Sequence, residues 1–276
     1  MRIARVVRTA KVSGPCYTRL IAGAVLFSLI STVFSSAVNA ASINYGNIGP
    51  VPPGVSFLQV TESSGTDPVP LFGPPQPFSV GLDFDPLAFT ATSSGPGAPD
   101  ITDGQLNFTI MGLSNPGGSI GIGLVNLFEA GDYTLAGGGG PPTAVLAGAI
   151  MRATVTEING APVTPFNLVP VNASFGDSLP GPVIVAPWSL GLSLDIASQL
   201  GGLGYGPDSV ATKVEIVIDN TLVASSEPNS SSFIAKKEFR ISIMPDPSGN
   251  IPEPTTIVLG SMLIGFVGLT ARRRSS

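Results

Sequence analysis

The sequence contains no histidine, and its only cysteine is Cys16. These absences remove most of the usual catalytic machinery. Without histidine there is no Ser-His-Asp triad and no Cys-His dyad. With a single cysteine near the start there is no internal disulfide and no Cys/His zinc site. Charge is also scarce, at 11% of residues, and its sign is unevenly shared. Residues 41–251 hold 17 acidic side chains against five basic ones (Arg152, Lys213, Lys236, Lys237 and Arg240), a difference of −12. A nucleic-acid partner requires a basic footprint, so this balance excludes one. It suits solubility outside a cell and weak divalent-cation binding.

Turn formers are abundant. Glycine and proline together supply 61 of the 276 residues, which approaches the composition of low-complexity chains. Aliphatic and aromatic residues nevertheless recur throughout, so the expectation is a folded domain with many turns. About 210 residues remain between two terminal processing segments, enough for one large domain or two small ones.

The first segment spans residues 1–40. Arg2, Arg5, Arg8, Lys11 and Arg19 precede an apolar run from Leu20 to Phe34, and the stretch ends Val38-Asn39-Ala40-Ala41. This is the order of a secretory signal peptide, cut between Ala40 and Ala41. It implies a secretion translocon and a signal peptidase as partners. An uncleaved N-terminal membrane helix is the alternative. No adjacent arginine pair is present in this segment, which argues against a twin-arginine signal.

The last 26 residues, 251–276, combine three parts. Pro252-Glu253-Pro254 comes first. Thr255 to Ala271 follows, 17 residues without a charge, and Arg272, Arg273 and Arg274 close the run. As a helix, residues 255–271 span about 26 Å, the short end of what crosses a core of roughly 30 Å. The arginines stay cytoplasmic by the positive-inside rule, which puts the large N-terminal portion outside. The prolines hold Glu253 in an extended segment beside the membrane.

This tail resembles the PEP-CTERM sorting signal of bacteria that secrete exopolysaccharide. The resemblance covers only residues 251–276, and all three parts match. It implies that a membrane protease, the exosortase, reads Pro252, Glu253 and Pro254, while Arg272, Arg273 and Arg274 hold the substrate in place. The protein is then exported, anchored with its C-terminus cytoplasmic, and after processing reaches the cell surface or extracellular matrix. An exopolysaccharide is a further implied partner. The catalytic residues of sorting belong to the exosortase.

Between the ends, residues 41–244 read as an extracellular β-rich domain and 245–250 as a brief stalk. Short apolar or alternating runs are separated by Gly, Pro, Asn and Asp. Val55–Thr61, Leu106–Met111 and Ile120–Phe128 read as strands. Thr143–Ile158 is ambiguous, since its Ala-rich start permits helix, but Val155–Ile158 ahead of Asn159-Gly160 favours a strand. Asn159-Gly160 is the strongest hairpin signal. Six prolines between 159 and 188 demote that stretch to edge or loop. Ser189–Leu200 reads as a strand or as a short helix from Asp195. Glu129-Ala130-Gly131-Asp132 and Asp219-Asn220 read as turns, and Ser93–Asp103 as a loop. In Phe233–Met244, Phe239, Ile241 and Ile243 face the core while Glu238, Arg240 and Ser242 face water. The sum predicts an all-β fold, an antiparallel sandwich or jelly roll, with one C-terminal transmembrane helix.

No catalytic residue, cofactor or metal is expected. Two carboxylates alone can hydrolyse glycosides, and Asp83 with Asp85 or Glu129 with Asp132 are the candidate pairs. Calcium is a weak alternative, with Asp100, Asp103 and Asn107 as oxygen donors. Trp188, the only tryptophan, reads as a core residue before a sugar platform.

Overall fold

The structure is a computed structural model that describes residues 41–52, 54–115, 118–179 and 183–246. Ala40, residues 247–250 of the stalk and the whole tail, Pro252 to Arg274 included, lie outside the described residues. So does the expected C-terminal helix. No helix among the described residues is long and apolar enough to cross a membrane.

In chain order the strands are β1 (Ala41–Val51), β2 (Val55–Ser64), β3 (Gln76–Phe78), β4 (Gly81–Phe84), β5 (Thr90–Ser94), β6 (Asp100–Gly112), β7 (Ser114–Asn115), β8 (Gly118–Ser119), β9 (Gly121–Gly137), β10 (Ala144–Ile158), β11 (Ala161–Asn167), β12 (Val171–Ser178), β13 (Val183–Asp195), β14 (Ala211–Ser225) and β15 (Ser230–Asp246). One short helix, α1 (Ile196–Gly202), follows β13, with Asp195 as its N-cap accepting from the Ser198 amide.

Two antiparallel sheets form a sandwich. The first runs β1-β2-β6-β14-β10, with β11 and β12 sharing the far side of β10. The second runs β13-β9-β15-β4-β3, with β5 beside the first part of β15. Period-two alternation drives this arrangement. On β14, Val214, Ile216, Ile218 and Leu222 are buried, while Glu215, Val217, Asp219 and Thr221 between them are not. On β15, Phe239, Ile241 and Ile243 are buried as expected, while Arg240 and Ser242 lie on the other face. The β10–β11 hairpin turns at Asn159 and Gly160, with φ of 51° and 76°. Both residues take the left-handed region that a tight hairpin demands and that Asn-Gly tolerates best.

Several expectations change. Asp219 and Asn220 form no turn. They lie inside the single strand β14, opposite Gln105 and Gly104 on one side and Ile150 and Ala149 on the other. Likewise Glu129 to Asp132 sit within β9, paired on both sides. In both cases pairing to a strand on each side outweighs the turn preference of Asp, Asn and Gly. The loop expected over Ser93–Asp103 shrinks to the five residues between β5 and β6. The proline-rich stretch 159–188 does supply edge strands, β11, β12 and the start of β13. The last strand continues through Pro245 and Asp246, two residues into the stretch read as stalk.

The sandwich core predicts a sharp contrast along β14. Ile216→Ala, at a side chain 1% exposed, should cost about 2–5 kcal/mol. Glu215→Ala, on the outer face, should stay within about 0.5 kcal/mol. Urea unfolding of the two variants measures both.

Candidate functional site

The one concentration of reactive groups in the described residues lies inside the sandwich. It begins with an irregularity in β15. Before Lys236 the even-numbered residues Ser232, Ile234 and Lys236 are buried, whereas after it the odd-numbered Phe239, Ile241 and Ile243 are. The switch is a β-bulge. Lys236 pairs with Gly131 and Glu238 with the adjacent Ala130, so Lys237 is the extra residue. Strict alternation back from Phe239 would have put Lys236 in water. The bulge turns it into the core.

Close backbone approach holds the bulge in place. A Cβ on Gly131 would lie 1.8 Å from the Ala235 carbonyl oxygen and 2.8 Å from Trp188 Nε1, so only glycine fits. The Trp188 indole N–H donates to that carbonyl at 3.0 Å. Trp188 is therefore a buried core residue, stacked near Phe175, and offers no platform to a sugar.

Lys236 Nζ lies 2.8 Å from Glu129 Oε2, and both side chains are 1% exposed. The same Nζ donates to Asn220 Oδ1, which projects from β14 in the facing sheet. Asn220 has room because its ladder neighbours are Gly104 and Ala149. Three rings enclose the ammonium. Its distance to the ring centre is 4.4 Å for Phe89, 5.1 Å for Phe239 and 5.4 Å for Phe72. Phe72 in turn meets Phe239 and Phe89 edge-on at 4.8 Å and 5.1 Å.

Burial dominates the electrostatics. It pushes the Glu129 carboxyl up and the Lys236 amine down, while the attraction between the two opposes both shifts. Lys236 and Asn220 are hydrogen-bonding neighbours that lower the carboxyl in part. Even so, neither Glu129 oxygen nor Asn220 Nδ2 makes a hydrogen bond of good geometry. A buried polar group left this way costs about 1–3 kcal/mol.

A second buried carboxylate, Glu62, is fully satisfied. It accepts from the Leu71 and Phe72 amides and from the Tyr45 hydroxyl at 2.6 Å. Burial, then the Glu62 carboxylate, push the Tyr45 phenol up. Tyr133 behaves similarly. Its buried ring carries a hydroxyl that donates to Asp177 Oδ2 at 2.7 Å, and burial followed by Asp177 raises its pKa to about 12.

The expected carboxylate pairs do not converge on a substrate cleft. Glu129 points into the core, whereas Asp132 points outward and pairs with Lys237. Asp83 pairs with Arg240, and Asp85 is exposed just beyond β4. The calcium candidates separate as well. Asp100 accepts from the Thr92 amide, and Asp103 from Ser64, Gly65 and Thr66. Asn107 shares the outer face of β6 with Asp103 but donates to Gln105. Among the described residues no three His, Cys, Asp or Glu side chains gather as metal ligands.

Outside, the surface is open. One depression is lined by Ser94, Gly95, Gly137 and Ser230, another by Asp132, Pro187, Lys237 and Glu238. The outer face of the second sheet carries an exposed ring, Phe128, in one ladder row with Arg240, Asp83 and Gln76. The Arg240 guanidinium lies 5.5 Å from the centre of the Phe78 ring and pairs with Asp83 and Glu238. In the next row Asn126 accepts from Ser193 at 2.7 Å beside Ser242.

No family model matches the chain. No curated protein matches it either. Among solved structures, one match is TmCBM61 in complex with beta-1,4-galactotriose, 8% identical, with 75% of this chain and 89% of that chain covered. The TM-score of 0.17 is too low for that likeness to establish a shared fold.

The Tyr133 environment gives a pH prediction. Its folded pKa is raised above the ordinary 10.0, so this contribution to stability is complete below pH 10 and lost as pH rises through about 12. In an alkaline absorbance titration, Tyr133→Phe should remove amplitude near pH 12. Loss of amplitude near pH 10 instead would contradict the assignment.

Proposed function

We propose that this chain is an exported, non-enzymatic surface protein, sorted by an exosortase and serving as a structural or adhesive part of an exopolysaccharide matrix. One observation carries the reading. Pro252-Glu253-Pro254, an uncharged run of 17 residues and Arg272-Arg273-Arg274 follow one another behind an N-terminal leader-like segment. Signal peptidase releases the chain between Ala40 and Ala41. The helix 255–271 holds it at the membrane until the exosortase acts at the Pro-Glu-Pro segment. The domain is compatible with a role that needs no catalysis. Asp83, Asp132 and Glu238 on its surface sit in ion pairs, and its depressions are open.

Intact mass of the exported protein, with and without exosortase, tests the sorting. The tail should be missing when the enzyme is present and retained when it is absent. The Glu253→Ala variant should keep the tail in both backgrounds. A tail retained in both backgrounds by the unaltered protein would end the sorting reading and leave a simple anchor.

Phe128 favours a second reading, direct contact with carbohydrate. A sugar ring presents C–H groups that pack on an aromatic face and hydroxyls that pair with planar polar groups. Phe128, Arg240, Asp83 and Asn126 combine both features on one sheet face. Retention of the exported protein on its own bacterium's polysaccharide should weaken about tenfold in Phe128→Ala, equivalent to about 1.4 kcal/mol. Unchanged retention would remove that face from consideration.

A further inference from the structure

The geometry points to a covalent cross-link inside the sandwich, an amide between the side chains of Lys236 and Asn220 formed by the protein itself with Glu129 as its acid and base.

The three groups meet the needs of the reaction. A lysine amine is a nucleophile only when neutral, and desolvation in an apolar pocket is the established way to make it so. Lys236 is 1% exposed, and three phenylalanine rings line its head group. Its partner must be an acyl group within reach on another strand. Asn220 Oδ1 is already in contact with Nζ, so the side-chain carbonyl lies beside the nucleophile. A group able to accept a proton and return it must touch the same atoms. Glu129 Oε2 is 2.8 Å from Nζ, and Asn220 also borders its carboxyl. Burial disfavours both charges, which moves the pair toward a neutral amine beside a neutral acid.

The step balances without any outside reagent. Proton transfer from Lys236 to Glu129 gives the free amine. The neutral Glu129 carboxyl polarises the Asn220 carbonyl while Nζ attacks Cγ, forming the N–C bond. Glu129 then relays the proton shed by Nζ to Nδ2. The Cγ–Nδ2 bond breaks and ammonia departs. The product is a secondary amide beside a neutral carboxyl group. No electrons are gained or lost.

The unsatisfied atoms argue the same way. As a non-covalent cluster the site leaves Glu129 Oε1, Glu129 Oε2 and Asn220 Nδ2 without good hydrogen bonds, deep in the core. The reaction expels Nδ2 as ammonia. It also replaces a buried ion pair by neutral groups, removing the desolvation cost of two charges. Only five basic residues serve positions 41–251, and one of them is spent at this interior site. The bond would join β14 of one sheet to β15 of the other.

Peptide mass mapping of the denatured exported protein tests the bond. Loss of one ammonia lowers the mass by about 17 Da, and an acylated Lys236 resists trypsin. Cutting after Phe233, which lies between the two residues, must leave the Asn220 and Lys236 fragments joined. Mapping is required because a succinimide at Asn159-Gly160 also loses ammonia. Glu129→Ala should leave both fragments separate and restore the lost mass. Lys236→Arg should do the same. Separate, unmodified fragments from the wild-type protein would overturn the proposal, whether or not the variants fold. A full cross-link in a folded Glu129→Ala protein would remove Glu129 from the chemistry and overturn its assigned role.

Discussion

An ammonium group taken out of water loses several kcal/mol of hydration, and the surroundings of Lys236 are arranged around that loss. Glu129 supplies the opposing charge at 2.8 Å from the same sheet, and Asn220 an acceptor from the facing one. Phe72, Phe89 and Phe239 present ring faces to the charge. None of these could meet without the bulge at Lys237, and the bulge needs a bare backbone at Gly131. Local geometry at one rung therefore decides what the middle of the sandwich contains.

The dependence extends outward from there. Glu62 fixes the Leu71–Phe72 segment through two backbone amides, which sets the Phe72 ring over the lysine. The Lys236 amide donates to the Phe89 carbonyl at 3.0 Å, which ties the second ring to the same strand. Trp188 clamps Ala235 one residue earlier. Glu129 and Glu62 thus both serve the surroundings of Lys236, in a chain whose acids otherwise lie mostly at the surface. Buried polar groups of this kind are tolerated when neighbours answer them, and Glu62 is answered completely.

Much of the fold was legible in the sequence. Alternation along Leu106–Met111 and Phe239–Ile243 identified strands and their inward faces, because a half-buried strand must alternate. Asn159-Gly160 marked its hairpin because so few residue pairs accept two positive φ angles. The interior site was not legible. Glu129 and Asn220 stand among residues typical of turns, and local preference gives no sign that ladders on both sides hold them straight. Lys236 was hidden by phase. Counting back from Phe239 in steps of two passes over it, and a single extra residue reverses the count. A bulge depends on backbone contacts across strands, Gly131 with Ala235 in this case, and those are tertiary facts. The surplus of acid over base was visible, but composition does not say which lysine goes inside.

The placement of β15 has a mechanical consequence. It is the last strand before the chain continues toward its C-terminus, yet it lies inside its sheet, with β9 along one side and β5 and β4 on the other. A pull on the chain beyond Asp246 acts along the strand axis. It shears many hydrogen bonds at once, where an edge hairpin would yield them one at a time. Tension entering from that end is shared across the second sheet before any single rung gives way.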